Sequence, residues 1–211
     1  LECYLGAGKI YKMQKRYESA IDVYERAIRI DPNNLAANYN LGNVYQESKK
    51  YNLALECYNR AIEIDPKFPD AYFNRGNALQ AMQRHAEAIS SFDVSIKLRS
   101  NAIDDYLNRG NSLRALKRFE AALDSYENAL AIDPNNPEAV NNRANILADT
   151  NQIHQAISQY DAAIAMDPSL TESYTNRGNA LRELGLIDEA LESYDKAIKL
   201  KSEDPEIFWN K

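Results

Sequence analysis

Asparagine pairs recur along this 211-residue chain with a period of 34 residues. The two members of a pair stand three residues apart, so both side chains lie on one face if the segment is helical. A carboxamide carries N–H donors and a carbonyl acceptor, which suit the C=O and N–H groups of an extended peptide. The pairs therefore predict a surface that binds peptide backbone. We call these residues the asparagine ladder: Asn40, Asn43, Asn74, Asn77, Asn108, Asn111, Asn142, Asn145, Asn176 and Asn179.

The ladder also has a structural explanation. Asparagine is a poor helix former, so its repeated use inside predicted helices needs a reason. Carboxamides on neighbouring helices can hydrogen-bond to one another and hold those helices together. The sequence leaves both roles open, and the two are compatible.

Residue types that commonly carry catalysis or bind metals are sparse and scattered. His85 and His154 are predicted in short turns between helices, and neither has a second ligand at metal-binding spacing. Cys3 and Cys57 occupy unrelated phases of the repeat, which predicts free thiols buried as small apolar groups. The sequence has no phosphate-binding loop and no dinucleotide fingerprint. We therefore expect no catalysis, no metal and no cofactor.

The charge balance restricts the class of partner. A formal net charge of -6 disfavours sequence-independent binding to nucleic acid, which requires clustered Lys and Arg. No apolar run approaches the roughly 18 residues that a membrane-spanning helix needs. Free cysteines suit a reducing compartment, so a cytoplasmic location is predicted. The chain starts without Met and within the repeat pattern, which suggests a piece of a longer protein.

Proline and glycine mark the elements that must position the ladder. Both residues are disfavoured inside helices, so a fixed phase for each reflects architecture. Prolines recur at two phases, namely Pro32, Pro66, Pro134 and Pro168, and then Pro69, Pro137 and Pro205. Glycines recur at a third phase: Gly8, Gly42, Gly76, Gly110 and Gly178. The chain is therefore predicted to be a single array of six repeats and the start of a seventh, with boundaries 1–34, 35–68, 69–102, 103–136, 137–170, 171–204 and 205–211.

Each repeat is predicted to form two antiparallel helices. In residues 35–68, apolar residues follow helical spacing in both halves, such as Leu41 and Val44 and then Leu55 and Tyr58. Pro66 ends the second half. Counting positions within a repeat from 1 to 34, position 8 is small, position 20 is alanine and position 24 is Tyr or Phe in all six repeats. A bulky ring opposite a small residue predicts a close helix crossing, which we also expect to stack successive pairs.

The small residue at position 8, alanine at 20, aromatic residue at 24 and proline at 32 together resemble the tetratricopeptide repeat. The resemblance covers the whole chain and implies an all-α fold, a right-handed α-solenoid superhelix of tandem antiparallel helix pairs. It also implies that the first helices line a concave groove, which contains the ladder. Position 5 is expected to add apolar contacts there, through Tyr39, Phe73, Leu107 and Trp209. The turn glycine that is usual in this family occurs only at Gly185.

Two charged positions accompany the ladder. Position 2 is mostly acidic, and carboxylates in a first helical turn complement the partial positive charge of a helix N-terminus. Arginines follow four of the position-6 asparagines directly, about 100° round the helix from them. They are expected at the seams between repeats, paired with neighbouring carboxylates: Arg75, Arg109, Arg143 and Arg177.

Taken together, the residues and the resemblance predict a protein–protein interaction scaffold whose concave groove binds an extended peptide or partner protein. The unbroken asparagine run also resembles the repeat arrays of O-linked N-acetylglucosamine transferases, so a substrate-recruiting segment of such a glycosyltransferase is the alternative. A chaperone-docking clamp is disfavoured because it needs lysine at positions 2 and 5, where this chain has none. Both ends expose faces that a neighbouring repeat would cover, which predicts end-to-end self-association.

Overall fold

The computed structural model describes residues 1–202, which contain twelve α-helices and no strand. This confirms the predicted all-α class of repeated helix pairs, while the handedness of a superhelix stays a prediction. Residues 203–211, with Trp209, Asn210 and the predicted start of a seventh repeat at 205–211, lie outside the described part. The helices are α1 Glu2–Met13, α2 Tyr17–Ile30, α3 Leu35–Glu47, α4 Tyr51–Ile64, α5 Pro69–Ala81, α6 His85–Leu98, α7 Ile103–Ala115, α8 Phe119–Ile132, α9 Pro137–Asp149, α10 Ile153–Met166, α11 Thr171–Glu183 and α12 Ile187–Ser202.

The chain divides into two compact units, Leu1–Leu116 and Lys117–Lys211. In the first unit, α1 to α6 form three helix pairs, and α7 packs on α6. In the second unit, α8 packs on α9, and α9 to α12 form two pairs. Three residues join the helices of each pair, for example 48–50 between α3 and α4. No helix within residues 1–202 combines the length and the apolar composition that crossing a membrane requires.

The first helix of each repeat is followed by a residue in the left-handed backbone conformation. This residue stands at position 15 in all six repeats, with φ between 56° and 77°: Lys15, Lys49, Gln83, Lys117, Asn151 and Gly185. The next N–H reaches back five residues, as in the 2.8 Å bond from Lys50 N to Tyr45 O. In this Schellman arrangement glycine is the usual left-handed residue because it has no Cβ. Five repeats therefore hold an unfavourable conformation that the sequence indicated only at Gly185.

Glycine at position 15 is expected to stabilise the protein. The left-handed conformation costs an L-residue about 1–2 kcal/mol, a cost that glycine avoids. Glycine also has more conformational freedom in the unfolded chain, and this offsets about 0.4–1 kcal/mol of the gain in stability. We expect Lys49→Gly to raise the free energy of unfolding in urea by about 0.5–1 kcal/mol. Gly185→Ala is the matched opposite, since a Cβ there would meet no atom within 4 Å and only backbone strain would act. If Lys49→Gly and Gly185→Ala changed the free energy of unfolding in the same direction, backbone strain at position 15 would not explain the effects.

The glycines of position 8 let the two helices of a pair cross closely. A Cβ built on Gly8, Gly42, Gly76 or Gly178 would lie 2.4–2.7 Å from the nearest atom of a position-24 ring. The rings belong to the second helix of the same pair: Tyr24, Tyr58, Phe92 and Tyr194. The predicted close crossing is therefore present, and this contact closes each pair. In the first unit, a core that runs from Ile21 and Val44 to Leu79 and Phe92 joins successive pairs.

Four of the second helices end at an Asp-Pro sequence. The aspartate is extended, as at Asp31 with φ -138° and ψ 93°. Its carboxylate accepts a hydrogen bond from the N–H two residues later, for example from Lys67 N to Asp65 at 2.9 Å. The following proline cannot continue the helix, so the chain turns towards the next pair. In the third repeat Arg99 and Ser100 stand at these places, and α6 still ends at Leu98.

Candidate functional site

The asparagine ladder occupies the middle of the first helices, two residues on each of α3, α5, α7, α9 and α11. Most of its side chains are half-buried, Asn142 and Asn145 are buried, and Asn179 is exposed. The spacing of three residues places both members of a pair on one helix face, as expected. The pattern predicted from the sequence is therefore a partly accessible row of carboxamides within each unit.

In the first unit the ladder links consecutive first helices. Asn74 Nδ2 on α5 donates to Asn43 Oδ1 on α3 at 2.9 Å. Asn108 Nδ2 on α7 donates to Asn77 Oδ1 on α5 at 3.3 Å. Asn43 Oδ1 accepts a second bond, from the Tyr58 hydroxyl at 2.9 Å, so it also ties the two helices of its own pair together.

The second unit repeats this arrangement. Asn176 Nδ2 on α11 donates to Asn145 Oδ1 on α9 at 3.0 Å, and the Tyr160 hydroxyl donates to the same oxygen at 2.7 Å. The Tyr194 hydroxyl donates to Asn179 Oδ1 at 2.8 Å. The structural role considered above is thus observed in both units.

The bonds between repeats use only part of the ladder's hydrogen-bonding capacity. The position-9 asparagine contributes its carbonyl oxygen and the position-6 asparagine contributes its amide group, as Asn74 Nδ2 donates to both Asn43 and Tyr39. In the first unit they use neither the Asn74 carbonyl nor the Asn77 amide nitrogen. The third repeat thus retains an acceptor and a donor on the same face, which is the combination that a peptide backbone requires. In the fifth repeat the corresponding groups face each other, with Asn145 Nδ2 3.5 Å from Asn142 Oδ1.

Tyr39 and Phe73 border the ladder in the first unit. The Tyr39 hydroxyl accepts a 2.9 Å bond from Asn74 Nδ2, and the Tyr39 ring packs edge-on against Phe68 at 4.9 Å between centroids. Burial raises the pKa of Tyr39, which keeps the phenol neutral at physiological pH. The Phe73 ring lies 6.1 Å from that of Phe92. Both side chains are half-buried, whereas Leu107 is buried and offers no surface to a ligand.

Comparison with known proteins identifies the repeat. A family model described as TPR repeat matches residues 8–49, 47–83, 110–151, 144–185 and 178–211. A second model, described as tetratricopeptide repeat, matches residues 69–101. The chain belongs to the tetratricopeptide repeat family. No curated protein sequence matches it.

Solved structures share the tetratricopeptide fold. PilW, described as a widely conserved type IV pilus biogenesis factor, is 21% identical with a TM-score of 0.82, and the match covers 97% of this chain and 95% of that one. Pseudomonas aeruginosa pilF is 21% identical with a TM-score of 0.76, over 100% and 97% of the two chains. YrrB, described as a TPR protein with an unusual peptide-binding site, is 24% identical with a TM-score of 0.62, over 85% and 93%. At these identities the likeness concerns the fold alone.

The arginines of position 7 lie at the seams between tetratricopeptide repeats. Arg109 Nε donates to Asp93 at 2.6 Å, and Arg177 Nε donates to Asp161 at 2.6 Å, so the predicted carboxylate partners are present there. The prediction is wrong for Arg75, whose hydrogen-bond partners are Ser91 and Asn59, and for Arg143, which donates to Gln159. Asn59 stands before Arg75 where the other seams have a carboxylate, Asp93, Glu127 or Asp161, so local sequence accounts for the Arg75 exception only.

The histidines and cysteines of the tetratricopeptide chain form no reactive group. His85 and His154 lie in the first turn of α6 and α10, not in the turns that we predicted. Cys57 is half-buried, and burial raises the pKa of its thiol to about 12. Cys3 is exposed, contrary to expectation, because it lies on α1 at the chain end. Within residues 1–202, no group of three or more His, Cys, Asp or Glu side chains is arranged to hold a metal ion.

Proposed function

We propose that the ladder face of the first unit binds an extended segment of a partner protein. The observation that carries this proposal is the polarity of the bonds between repeats, which use position-9 carbonyls and position-6 N–H groups. The Asn74 carbonyl and the Asn77 amide nitrogen are left to pair with backbone N–H and C=O groups of a ligand. The array then acts as a scaffold and not as an enzyme.

The surroundings of the ladder set the class of peptide. Tyr39 and Phe73 are half-buried aromatic rings beside Asn74, and they offer apolar contact to ligand side chains. Exposed Asp104 lies in the first turn of α7 and adds negative charge, whereas the Asp70 carboxylate on α5 is paired with Arg99. A ligand that combines apolar residues with neutral or basic ones therefore fits best.

Other parts of the predicted role rest on the sequence. We propose a cytoplasmic location and no nucleic-acid partner, in keeping with the net charge of -6.

Apolar side chains are exposed on α1, such as Ile10 and Met13, and on α12, such as Leu191 and Ile198, which favours end-to-end self-association. The glycosyltransferase-type alternative stays a prediction, since no described contact bears on it.

Aspartate substitutions separate binding from the structural role. Asn43→Asp and Asn77→Asp retain an oxygen for the bonds from Asn74 and Asn108, but they remove the amide N–H donors. We expect the double variant to unfold in urea within about 0.5 kcal/mol of the parent. Two lost ligand bonds, each about 0.5–1.5 kcal/mol, weaken peptide affinity by roughly 5- to 150-fold.

The measurement uses peptides selected from a random-sequence display library on the parent protein, with affinities from calorimetry. Asn52→Asp on the exposed surface of α4 controls for added charge and is expected to leave affinity unchanged. Asn43→Ala with Asn77→Ala removes both functions, so it lowers stability and affinity together. Full peptide affinity in the folded aspartate variant would show that the ladder only links repeats.

A further inference from the structure

The seam arginine Arg75 lacks the carboxylate partner that Arg109 and Arg177 have. Arg109 on α7 and Arg177 on α11 each contact an aspartate of the preceding second helix at 2.6 Å. The equivalent residue before Arg75 is Asn59 on α4. Arg75 Nη1 donates to Asn59 Oδ1 at 3.1 Å, and its Nε donates to Ser91 Oγ at 3.1 Å. Both hydrogen-bond partners of this cation are neutral.

Arg75 lies in a cleft of about 270 Å³ between α4, α5 and α6. One carboxylate is present in the cleft, that of Glu87, and it forms two 2.7 Å bonds with Arg84. Desolvation lowers the pKa of the half-buried Arg75 guanidinium, as expected for a cation that is removed from water without full compensation. The residues that line the cleft are Leu55, Asn59, Arg75, Leu79, Arg84, Glu87, Ser90 and Ser91.

The corresponding cleft around Arg177 is internally neutralised. Its volume is about 530 Å³, and it is lined by three basic and three acidic residues. Asp161 contacts Arg177, and Glu192 stands at position 22, where the Arg75 cleft has Ser90. The Arg75 cleft therefore lacks two acidic groups that the same fold places beside another seam arginine.

We propose that the cleft around Arg75 is a binding site for an oxyanion, either a carboxylate or a phosphate group. The anion takes the place that an aspartate carboxylate holds beside Arg109 and Arg177. It pairs with the Arg75 guanidinium, and the exposed Asn59 amide supplies a further N–H donor. The site lies between second helices and is separate from the ladder, so it does not depend on the peptide-binding proposal.

The test follows the Nε–Hε resonances of Arg75 and Arg177 by NMR, with each assigned by loss in an arginine-to-lysine variant. Sodium acetate and inorganic phosphate are added separately at constant ionic strength. We expect a saturable shift at Arg75 with half-saturation on the order of 10 mM, and no saturable shift at Arg177. The anion with the lower half-saturation concentration identifies the preferred group.

Asn59→Asp places a carboxylate beside Arg75, as Asp161 stands beside Arg177. Because this carboxylate competes with the added anion for the guanidinium, we expect anion binding to weaken at least roughly tenfold. Ser90→Glu, at an exposed site, is a second variant that adds the charge found at Glu192 and is expected to weaken binding in the same direction. Equal, non-saturating shifts at both arginines would overturn the proposal. Unchanged anion binding in folded Asn59→Asp and Ser90→Glu would overturn it as well.

Discussion

Replacing Gly42 by leucine is expected to destabilise the protein by about 3 kcal/mol or more, because the space above Gly42 is filled. A Cβ there would lie 2.6 Å from the Tyr58 ring and 3.2 Å from Cys57 Cβ. The ring cannot move aside cheaply, since Tyr58 is fully buried and its hydroxyl lies 2.9 Å from oxygens of both Asn43 and Gln46. The two helices of the pair must therefore separate. Urea unfolding followed by circular dichroism measures the loss.

Gly6→Leu is the matched control, because it makes the same change on α1 where a Cβ would meet no atom within 4 Å. There only helix propensity acts, so we expect a gain of up to about 1 kcal/mol. The stability of Gly42→Ala is expected to lie between those of Gly42→Leu and Gly6→Leu. The fifth repeat accepts alanine at this position, since Ala144 packs in the same cluster as Tyr160. If Gly42→Leu and Gly6→Leu had equal effects, the close crossing would not limit the packing of the pair.

Periodicity explains why this crossing was predictable from the sequence. A small residue at position 8, alanine at 20 and an aromatic at 24 recur together, and a close helix pair accounts for all three. The same repetition predicted the helix pairs, the end of four second helices at Asp-Pro and the common face of the ladder. These features are local and recur from repeat to repeat, so several repeats support the same prediction independently.

The bonding of single side chains was not predictable in this way. A pattern of asparagines does not indicate which atom of the carboxamide faces the neighbouring helix. The direction of the hydrogen bond from Asn74 Nδ2 to Asn43 Oδ1 is therefore seen only in the structure. Four of the six left-handed residues at position 15 are Lys or Gln, which carry no signal for this conformation in the sequence. Of the two neutral partners of Arg75, Ser91 lies on α6 of the same helix pair, and Asn59 lies on α4 of the preceding pair.

The largest departure from the repeat pattern lies where the third and fourth repeats meet within the first unit. Position 3 is alanine in three repeats, at Ala37, Ala71 and Ala139, but the fourth repeat has Asp105 there, which is only 1% exposed. Arg99 Nε lies 3.5 Å from the Asp105 carboxylate. Arg99 also pairs with Asp70, and its guanidinium lies 5.3 Å from the Phe73 ring centroid. The buried negative charge that Asp105 introduces into the fourth repeat is thus paired with the positive charge of Arg99 from the third repeat.

Arg99→Met is expected to destabilise the protein by about 3–5 kcal/mol at neutral pH, because it leaves a buried carboxylate without a cation. Asp105→Ala introduces the residue that three other repeats have and is expected to be neutral or stabilising, by up to about 4 kcal/mol. In the double variant most of the Arg99→Met loss should disappear. A double-mutant cycle of urea unfolding energies measures this coupling. Additive effects of the two substitutions would show that Asp105 does not depend on Arg99.

The pH dependence provides a second readout of the same pair. Burial raises the pKa of Asp105 above its ordinary value of 3.8, and loss of the nearby Arg99 cation raises it further. The folded state of the variant therefore binds the carboxyl proton more tightly than the unfolded chain does. Its stability relative to the parent is lowest above the folded pKa and recovers as the pH falls through that value. We expect the difference in unfolding free energy between Arg99→Met and the parent to narrow as the pH falls from neutral. In the Asp105→Ala background the same substitution should show no such narrowing, because no buried carboxyl remains to take up the proton.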